Sequence, residues 1–437
     1  MAGKLITDKN NFEAVCESAH VSLPYSDNTK VLTNKLLIGR KTAPNRIVYQ
    51  AMEGCDGTSD GSPDVLTKRR YARFAKGGAG IIWFEATAVM KEGRANPRQL
   101  YITEKNLEDF KREVEQIKEI CLKENGYEPL VIMQATHSGR YSKPDGTPAP
   151  LIAYNNPIFE GDSPISTDRI VTDDYLDSVR EALINGAVLA EKAGFDGVDI
   201  KCCHRYLNSE LLSAYNRAGR YGGSFINRTR LLRESVMGAI ANTSNDFIVS
   251  TRLNVYDGFP YPNGFGVKEN DGIEFDATEP IELVKELKLN GVNLINITMG
   301  NPYFNPHVNR PFVKGGYEPN EEPIEGVFRM LDGIRQIKQA VPDMAVISSG
   351  ISYLGVQSKN VVAACIENGW FDFAGYGRMT FANPNVAKEI LSGQGISKTC
   401  LTCSKCTEIM RAGGTPGCPI YDKETYMPLY NKYCKGE

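Results

Sequence analysis

Cys400, Cys403 and Cys406 stand at C-x2-C-x2-C spacing, and Cys418-Pro419 follows after eleven further residues. Thiolates separated by two residues can address one inorganic cluster from a single tight loop. The Gly/Pro-rich stretch Ala412–Gly417 is pliable enough to bring the fourth cysteine back. The set therefore reads as a 4Fe–4S site with Cys400, Cys403, Cys406 and Cys418 as ligands. A structural zinc ion is the alternative reading, although zinc usually takes two well-separated C-x2-C pairs. A disulfide framework fits least.

A second concentration of chemistry runs from Asp199 to Asn208. Within six residues it holds Lys201, His204 and Tyr206, with Cys202 and Cys203 as a vicinal pair of open role. Lys201 and His204 could hold a carbonyl oxygen, and Tyr206 could deliver a proton. Taken singly, a Tyr or His beside a strand more often packs or caps. Three proton donors at one strand end are harder to explain that way.

These groups need a scaffold. Between residues 46 and 378, eight short apolar runs alternate with longer segments of helical periodicity. The runs are Ile47–Ala51, Gly80–Ala86, Leu130–Gln134, Gly197–Ile200, Phe247–Leu253, Leu294–Ile297, Ala345–Ser348 and Phe373–Tyr376. Helices are expected between them, as at Asp173–Ala193 and Pro280–Leu289. Eight β/α units predict a (β/α)8 barrel followed by a C-terminal cysteine-rich iron–sulfur segment; an open doubly wound sheet is the alternative. The expected organisation is an N-terminal extension over 1–30, the barrel over 31–395, and the cluster segment with a Tyr-rich tail over 396–437.

In such a barrel, chemistry gathers at the C-terminal strand ends, and phosphate sits after strands seven and eight. Ser348-Ser349-Gly350-Ile351 and Gly375-Tyr376-Gly377-Arg378 end those strands. Gly350, Gly377 and Arg378 offer backbone N–H groups and a guanidinium to a phosphate; the plainer reading is two tight βα turns. Gln134 ends strand three with an amide suited to a heterocycle edge. Arg252, in strand five, could sit beside a flavin's pyrimidine edge and favour its anionic reduced state. No G-x-G-x-x-G follows any predicted strand, so no dinucleotide-binding Rossmann unit is visible.

Composition narrows the class of partner. The 437 residues are 41% hydrophobic and 24% charged, with a net charge of −3 and no dense Lys/Arg run, which argues against nucleic acid or an anionic membrane. The N-terminus lacks a signal-peptide core and no apolar run is long enough to span a bilayer. A cytoplasmic location is expected, with the eleven cysteines reduced or bound to metal.

Several stretches resemble the Old Yellow Enzyme family: Asn45-Arg-Ile-Val, Gln134 with His137-Ser-Gly-Arg140, and above all Tyr215–Arg230, which contains Tyr221-Gly-Gly-Ser-x-x-Asn-Arg228. With the C-terminal cysteines, the chain looks like the iron–sulfur branch of 2,4-dienoyl-CoA reductase and trimethylamine dehydrogenase, from about Leu36 to Cys418. The resemblance implies a barrel binding FMN, with a cluster near its dimethylbenzene edge. It implies Ala51 and Met52 along the flavin, Ala86 and Gln134 at the ring edge, Arg252 by N1/O2, and Gly350, Gly377 and Arg378 at the phosphate. His204 and Tyr206 match the substrate-anchoring position and the usual proton donor.

The implied activity is reduction of a carbonyl-conjugated C=C bond of enoyl, enone, steroid or bilin type. An amine dehydrogenase or an electron-transfer barrel is the alternative. Four departures stand out. Lys201 replaces a usual His and Arg205 a usual Gly, which suggests an acidic or strongly polarised substrate. Glu53 stands where relatives have Thr, Cys or His, against a cysteinyl-flavin linkage. The chain lacks the FAD- and NAD-binding domains of longer members, so the reductant is expected to be NAD(P)H or a protein donor such as a ferredoxin, a flavodoxin-like protein or a flavoprotein. Loop aromatics Tyr256, Phe259, Tyr261, Tyr303 and Phe304 suggest a mouth for a flat hydrophobic substrate.

Overall fold

The computed structural model describes residues 5–270 and 272–436. The first four residues of the N-terminus read above, Asp271 in the loop after strand five, and the final residue lie outside them. Eight parallel strands form one sheet: Ile47–Tyr49, Ile81–Ala88, Leu130–Thr136, Gly197–Ile200, Ile248–Asn254, Leu294–Thr298, Ala345–Ile347 and Ala374–Tyr376. Each pairs with the next through strand seven, and strand eight pairs with strand one, Ala374 opposite Ile47. A parallel bridge from Ile347 to Phe373 spans the remaining seam, so the sheet closes as a barrel. Every sequence-predicted strand is present, with ends displaced by one or two residues.

Strand alternation sorts the side chains into two cores. Val48, Trp83, Ile132, Ile248, Leu294 and Ile347 fill the barrel's lower interior, where Ile38 and Ala43 of the antiparallel hairpin Leu36–Ile38/Lys41–Ala43 join them. The opposite faces, including Ile47, Ile82, Met133, Val198, Ile295 and Val346, pack against the helices. Helix Leu107–Asn125 shows the matching stripe, with Phe110, Val114, Ile117 and Cys121 buried, and Gly126 closes it at φ 80°. Helix Asp173–Lys192 starts where the Thr172 side chain accepts from the Tyr175 N–H.

Two peripheral pieces dock on this frame. Helix Lys9–Ser18 buries Phe12 and Cys16, and the Tyr25 hydroxyl donates to Gln357 at 2.9 Å. At the other end, helices Lys405–Arg411 and Lys423–Tyr430 fold back onto the barrel. Asp422 accepts from Arg69 (2.8 and 3.0 Å) and pairs with Arg73, both on helix Val65–Gly77. Among the described residues no helix is long and apolar enough to cross a membrane.

Candidate functional site

The C-terminal strand ends surround a cleft with about 1000 Å³ of non-protein volume. Its floor is polar. Asp199, fully buried at the end of strand four, accepts from Gln134 Nε2 (2.6 Å), Trp83 Nε1 (2.7 Å) and the Arg252 backbone N–H (2.6 Å). Burial pushes this carboxyl up despite those donors. With its amide nitrogen held by Asp199, Gln134 has its carbonyl oxygen left to accept from a ligand.

Directly after strand four the backbone takes two consecutive left-handed residues, His204 (φ 64°) and Arg205 (φ 62°). Each costs about 1–3 kcal/mol for a residue other than glycine. The kink sends His204 and Tyr206 into the cleft and Arg205 away from it. Arg205 is fully buried and donates to Asp257 (2.9 Å), Ser213 Oγ (2.5 Å) and the Tyr154 hydroxyl (2.8 Å). The expectation of a second cation at the substrate mouth is therefore corrected: Asp257 neutralises Arg205 outside the cleft.

Lys201 lines the cleft, but its charge is also answered. Its Nζ lies 3.3 Å from Glu53 Oε1 and 3.6 Å above the centre of the Tyr206 ring. The sequence argument for an acidic substrate rested on Lys201 and Arg205 as surplus cations, and neither is one. The Tyr206 hydroxyl donates toward Glu53 (3.0 and 3.2 Å) and lies 3.0 Å from the Tyr303 hydroxyl. Burial first, then the Glu53 carboxylate, holds the Tyr206 phenol well above its usual pKa. Burial, with Arg252, Lys201 and Arg310 nearby, keeps the His204 imidazole well below its own, so the ring is neutral.

Three buried polar atoms in this cleft have no protein partner: His204 Nε2, Arg252 Nε and Arg378 Nη1. Buried polar groups without partners are costly, so their convergence marks ligand-binding positions. Gly350 (φ 79°) and Gly377 begin the segments after strands seven and eight and line the same wall as Arg378. Ala51, Met52, Gln134 and Arg252 also line the cleft. Ala86 does not: it is fully buried beside a register shift in strand two, its carbonyl held by Gln99 Nε2 at 3.1 Å.

Arg310 was not singled out in the sequence, where it is one cation in a long loop. It is half-buried, and desolvation with Arg378 nearby drives its pKa down to about 9. Its hydrogen bond at 3.4 Å is to Ser404 Oγ, and no carboxylate pairs with it among the described residues. The aromatic mouth is also redrawn. Tyr303 alone of the five loop aromatics lines the cleft, while Phe259 and Phe304 pack with Phe159 at centroid distances of 5.2–5.5 Å, and Tyr261 against Tyr215 at 4.9 Å.

Cys400, Cys403, Cys406 and Cys418 line one small cavity. Thr402 (φ 45°) and Ser404 (φ 61°) curl the chain around it, and the Thr402 N–H reaches Cys400 Sγ at 3.4 Å. Among the described residues no three His, Cys, Asp or Glu side chains converge on a single-ion position. Arg378, Phe381 and Cys406 belong to both linings, so this cavity and the cleft share a wall. Arg411 ties the segment to the cleft rim by donating to the carbonyls of Pro302 (3.0 Å) and Tyr303 (3.3 Å).

The model of the NADH:flavin oxidoreductase / NADH oxidase family matches residues 34–395. The NADPH dehydrogenase of Bacillus pumilus (strain SAFR-032) is 34% identical over 267 residues, which cover 59% of this chain and 70% of that protein. An NADH:flavin oxidoreductase of Gibberella zeae is 24% identical, covering 85% and 87%. The Old Yellow Enzyme homologue from Zymomonas mobilis superposes with a TM-score of 0.63 at 20% identity, over 89% of this chain and 98% of the other. A 2-naphthoyl-CoA reductase complex gives 0.73 at 20% identity, over 93% and 58%, and histamine dehydrogenase from Rhizobium sp. 4-9 gives 0.69 at 19%, over 91% and 53%. This chain thus spans little more than half of those last two, and at such identities the solved structures establish the fold. With the family model matching most of its length, the chain belongs to the NADH:flavin oxidoreductase / NADH oxidase family and is a flavin-dependent oxidoreductase.

Proposed function

We propose that this protein is an FMN-dependent ene-reductase that carries a 4Fe–4S cluster. The observation that carries the reading is the convergence of Tyr206, neutral His204 and the unpartnered nitrogens of Arg252 and Arg378 in one cleft. Gln134 and Arg252 suit the flavin's polar ring edge, Ala51 and Met52 its flank, and Gly350, Gly377, Arg378 and Arg310 its phosphate. FMN, when bound, supplies the hydride that is delivered to the β-carbon of the alkene. His204 Nε2, in the tautomer that carries its proton there, donates to the substrate carbonyl oxygen, and Lys201 has N–H groups left to do the same. Tyr206 gives its proton to the α-carbon.

The cluster is preferred to zinc on the C-x2-C-x2-C spacing with a fourth, distant cysteine, since zinc usually takes two separated C-x2-C pairs; the four cysteines line one small cavity. The shared wall with the cleft suits electron traffic between the two. NAD(P)H is the proposed reductant of the flavin, and a ferredoxin, flavodoxin-like protein or flavoprotein the proposed partner of the cluster. An amine dehydrogenase is the alternative reading.

Two predictions follow from this assignment. Arg378→Ala should weaken FMN binding to the apo-protein by about 10- to 100-fold, and Arg310→Ala by about tenfold, as expected for charge-assisted bonds to phosphate. Fluorescence titration with FMN and with riboflavin reads this directly, since riboflavin lacks the phosphate and should bind the variants and wild type alike. In anaerobic stopped-flow, protein reduced with NADPH should be reoxidised by enones or enoyl thioesters, and oxidised protein should stay oxidised with primary and tertiary amines. Bleaching by an amine, with no response to any activated alkene, would overturn the reductase reading.

A further inference from the structure

Tyr206 must regain a proton in every cycle, and it is buried. Glu53 is the carboxyl group at hydrogen-bond distance from it. The Glu53 carboxylate contacts both the Tyr206 hydroxyl and Lys201 Nζ, and its side chain is 13% exposed against 2% for Lys201. The loop that carries it is held firmly. The Gly54 N–H donates to Glu85 Oε2 at 2.6 Å, and buried Arg70 bridges Glu85 to Asp56. A Cβ at Gly54 would overlap the Arg70 guanidinium, so a larger residue there would break this bracing. The far side of the phenol is closed by the Tyr303 hydroxyl, itself stacked on Tyr141.

An ionised Glu53 would oppose a phenolate on Tyr206, because two like charges at hydrogen-bond distance in a buried site repel strongly. A protonated Glu53 removes that conflict. We propose that Glu53 is the proton relay between solvent and Tyr206, with Lys201 as its counter-charge; this rests on the alkene-reductase reading above. The step balances. The Tyr206 proton passes to the substrate α-carbon, where the enolate electron pair forms the new C–H bond. The pair left on the phenol oxygen takes the Glu53 proton, and the negative charge comes to rest on a carboxylate facing Lys201. Glu53 then takes its next proton from water.

The relay needs at position 53 a group that can give a proton to the phenol oxygen and take one back, as the carboxyl of Glu53 can. The titratable groups facing it are Lys201, Cys203 and Tyr206 after strand four, Tyr303 after strand six, and Cys55 on its own loop. The holoenzyme tests this by anaerobic stopped-flow with Glu53→Gln and Glu53→Asp. Glu53→Gln should slow alkene reduction by about 10- to 100-fold while the NADPH half-reaction keeps its rate; Glu53→Asp, which restores a carboxyl group, should recover part of the alkene rate. A tyrosinate absorbance titration of the apo-protein gives a readout independent of turnover. Glu53→Gln should lower the pH at which the buried phenol ionises, and that change should be absent from the Tyr206→Phe background. An unchanged alkene rate in Glu53→Gln, or equal slowing of both half-reactions, would overturn the relay. If wild type reduces no activated alkene, the reductase reading falls instead, and the titration still reports whether Glu53 controls Tyr206.

Discussion

Tyr206→Phe will slow reoxidation of the reduced protein by an activated alkene by about 10²- to 10⁴-fold, the usual worth of a positioned general acid, while reduction by NADPH changes by no more than about twofold. That loss corresponds to about 3–5 kcal/mol of transition-state stabilisation. The split is the diagnostic part. Only the step that makes the α-C–H bond needs the phenol proton, whereas delivery of electrons into the cleft does not. The substitution is conservative for the fold: the ring keeps its place against Lys201 and Tyr141, and Glu53 keeps Lys201 as partner. Tyr303→Phe is the matched control. It removes the other hydroxyl at 3.0 Å and should cost less, because the proposed proton donor, Tyr206, is retained. Equal slowing of both half-reactions by Tyr206→Phe would assign the residue to cleft architecture.

Cys406→Ser or Cys418→Ser is expected to abolish the proposed 4Fe–4S cluster, taking iron from about four atoms per chain to nearly none together with acid-labile sulfide. Cys406 belongs to the wall between the cysteine cavity and the cleft, and Cys418 lies before the Asp422 anchor on Arg69 and Arg73. The barrel has its own cores and should keep its flavin, so the variants should retain reduction by NADPH while losing turnover driven through a reduced ferredoxin. Metal analysis, flavin release and the two assays separate these effects. One zinc per wild-type chain, with no iron or sulfide, would replace the redox assignment with a structural one.

The barrel was legible because its strands are short, β-branched and separated by helical periods, and because alternation in a parallel sheet leaves both faces apolar. Strand ends were less so: Ala51 and Ser348 look like strand continuation yet serve the loops above the sheet. The cleft residues were legible where they sit at strand ends, as Gln134, Arg252, Gly377 and Arg378 do. Ala86 is fully buried beside a register shift in strand two that periodicity does not reveal, with its carbonyl accepting from Gln99. Arg310 was missed because nothing local separates a loop cation that enters a cleft from one that faces water.

What the sequence by itself determined, then, is the inventory and its order along the chain: eight β/α units, three proton donors after the fourth, and four cysteines at the end. Those are properties of spacing, which the chain carries whatever its final shape. Only the tertiary structure decided which charges remain available. Asp257, 52 residues from Arg205, removes one cation from the substrate side, and Glu53, 148 residues from Lys201, answers another and touches Tyr206. Charge and proton affinity belong to a group and its neighbours in space, and closure of a barrel brings together neighbours that no local stretch of sequence contains.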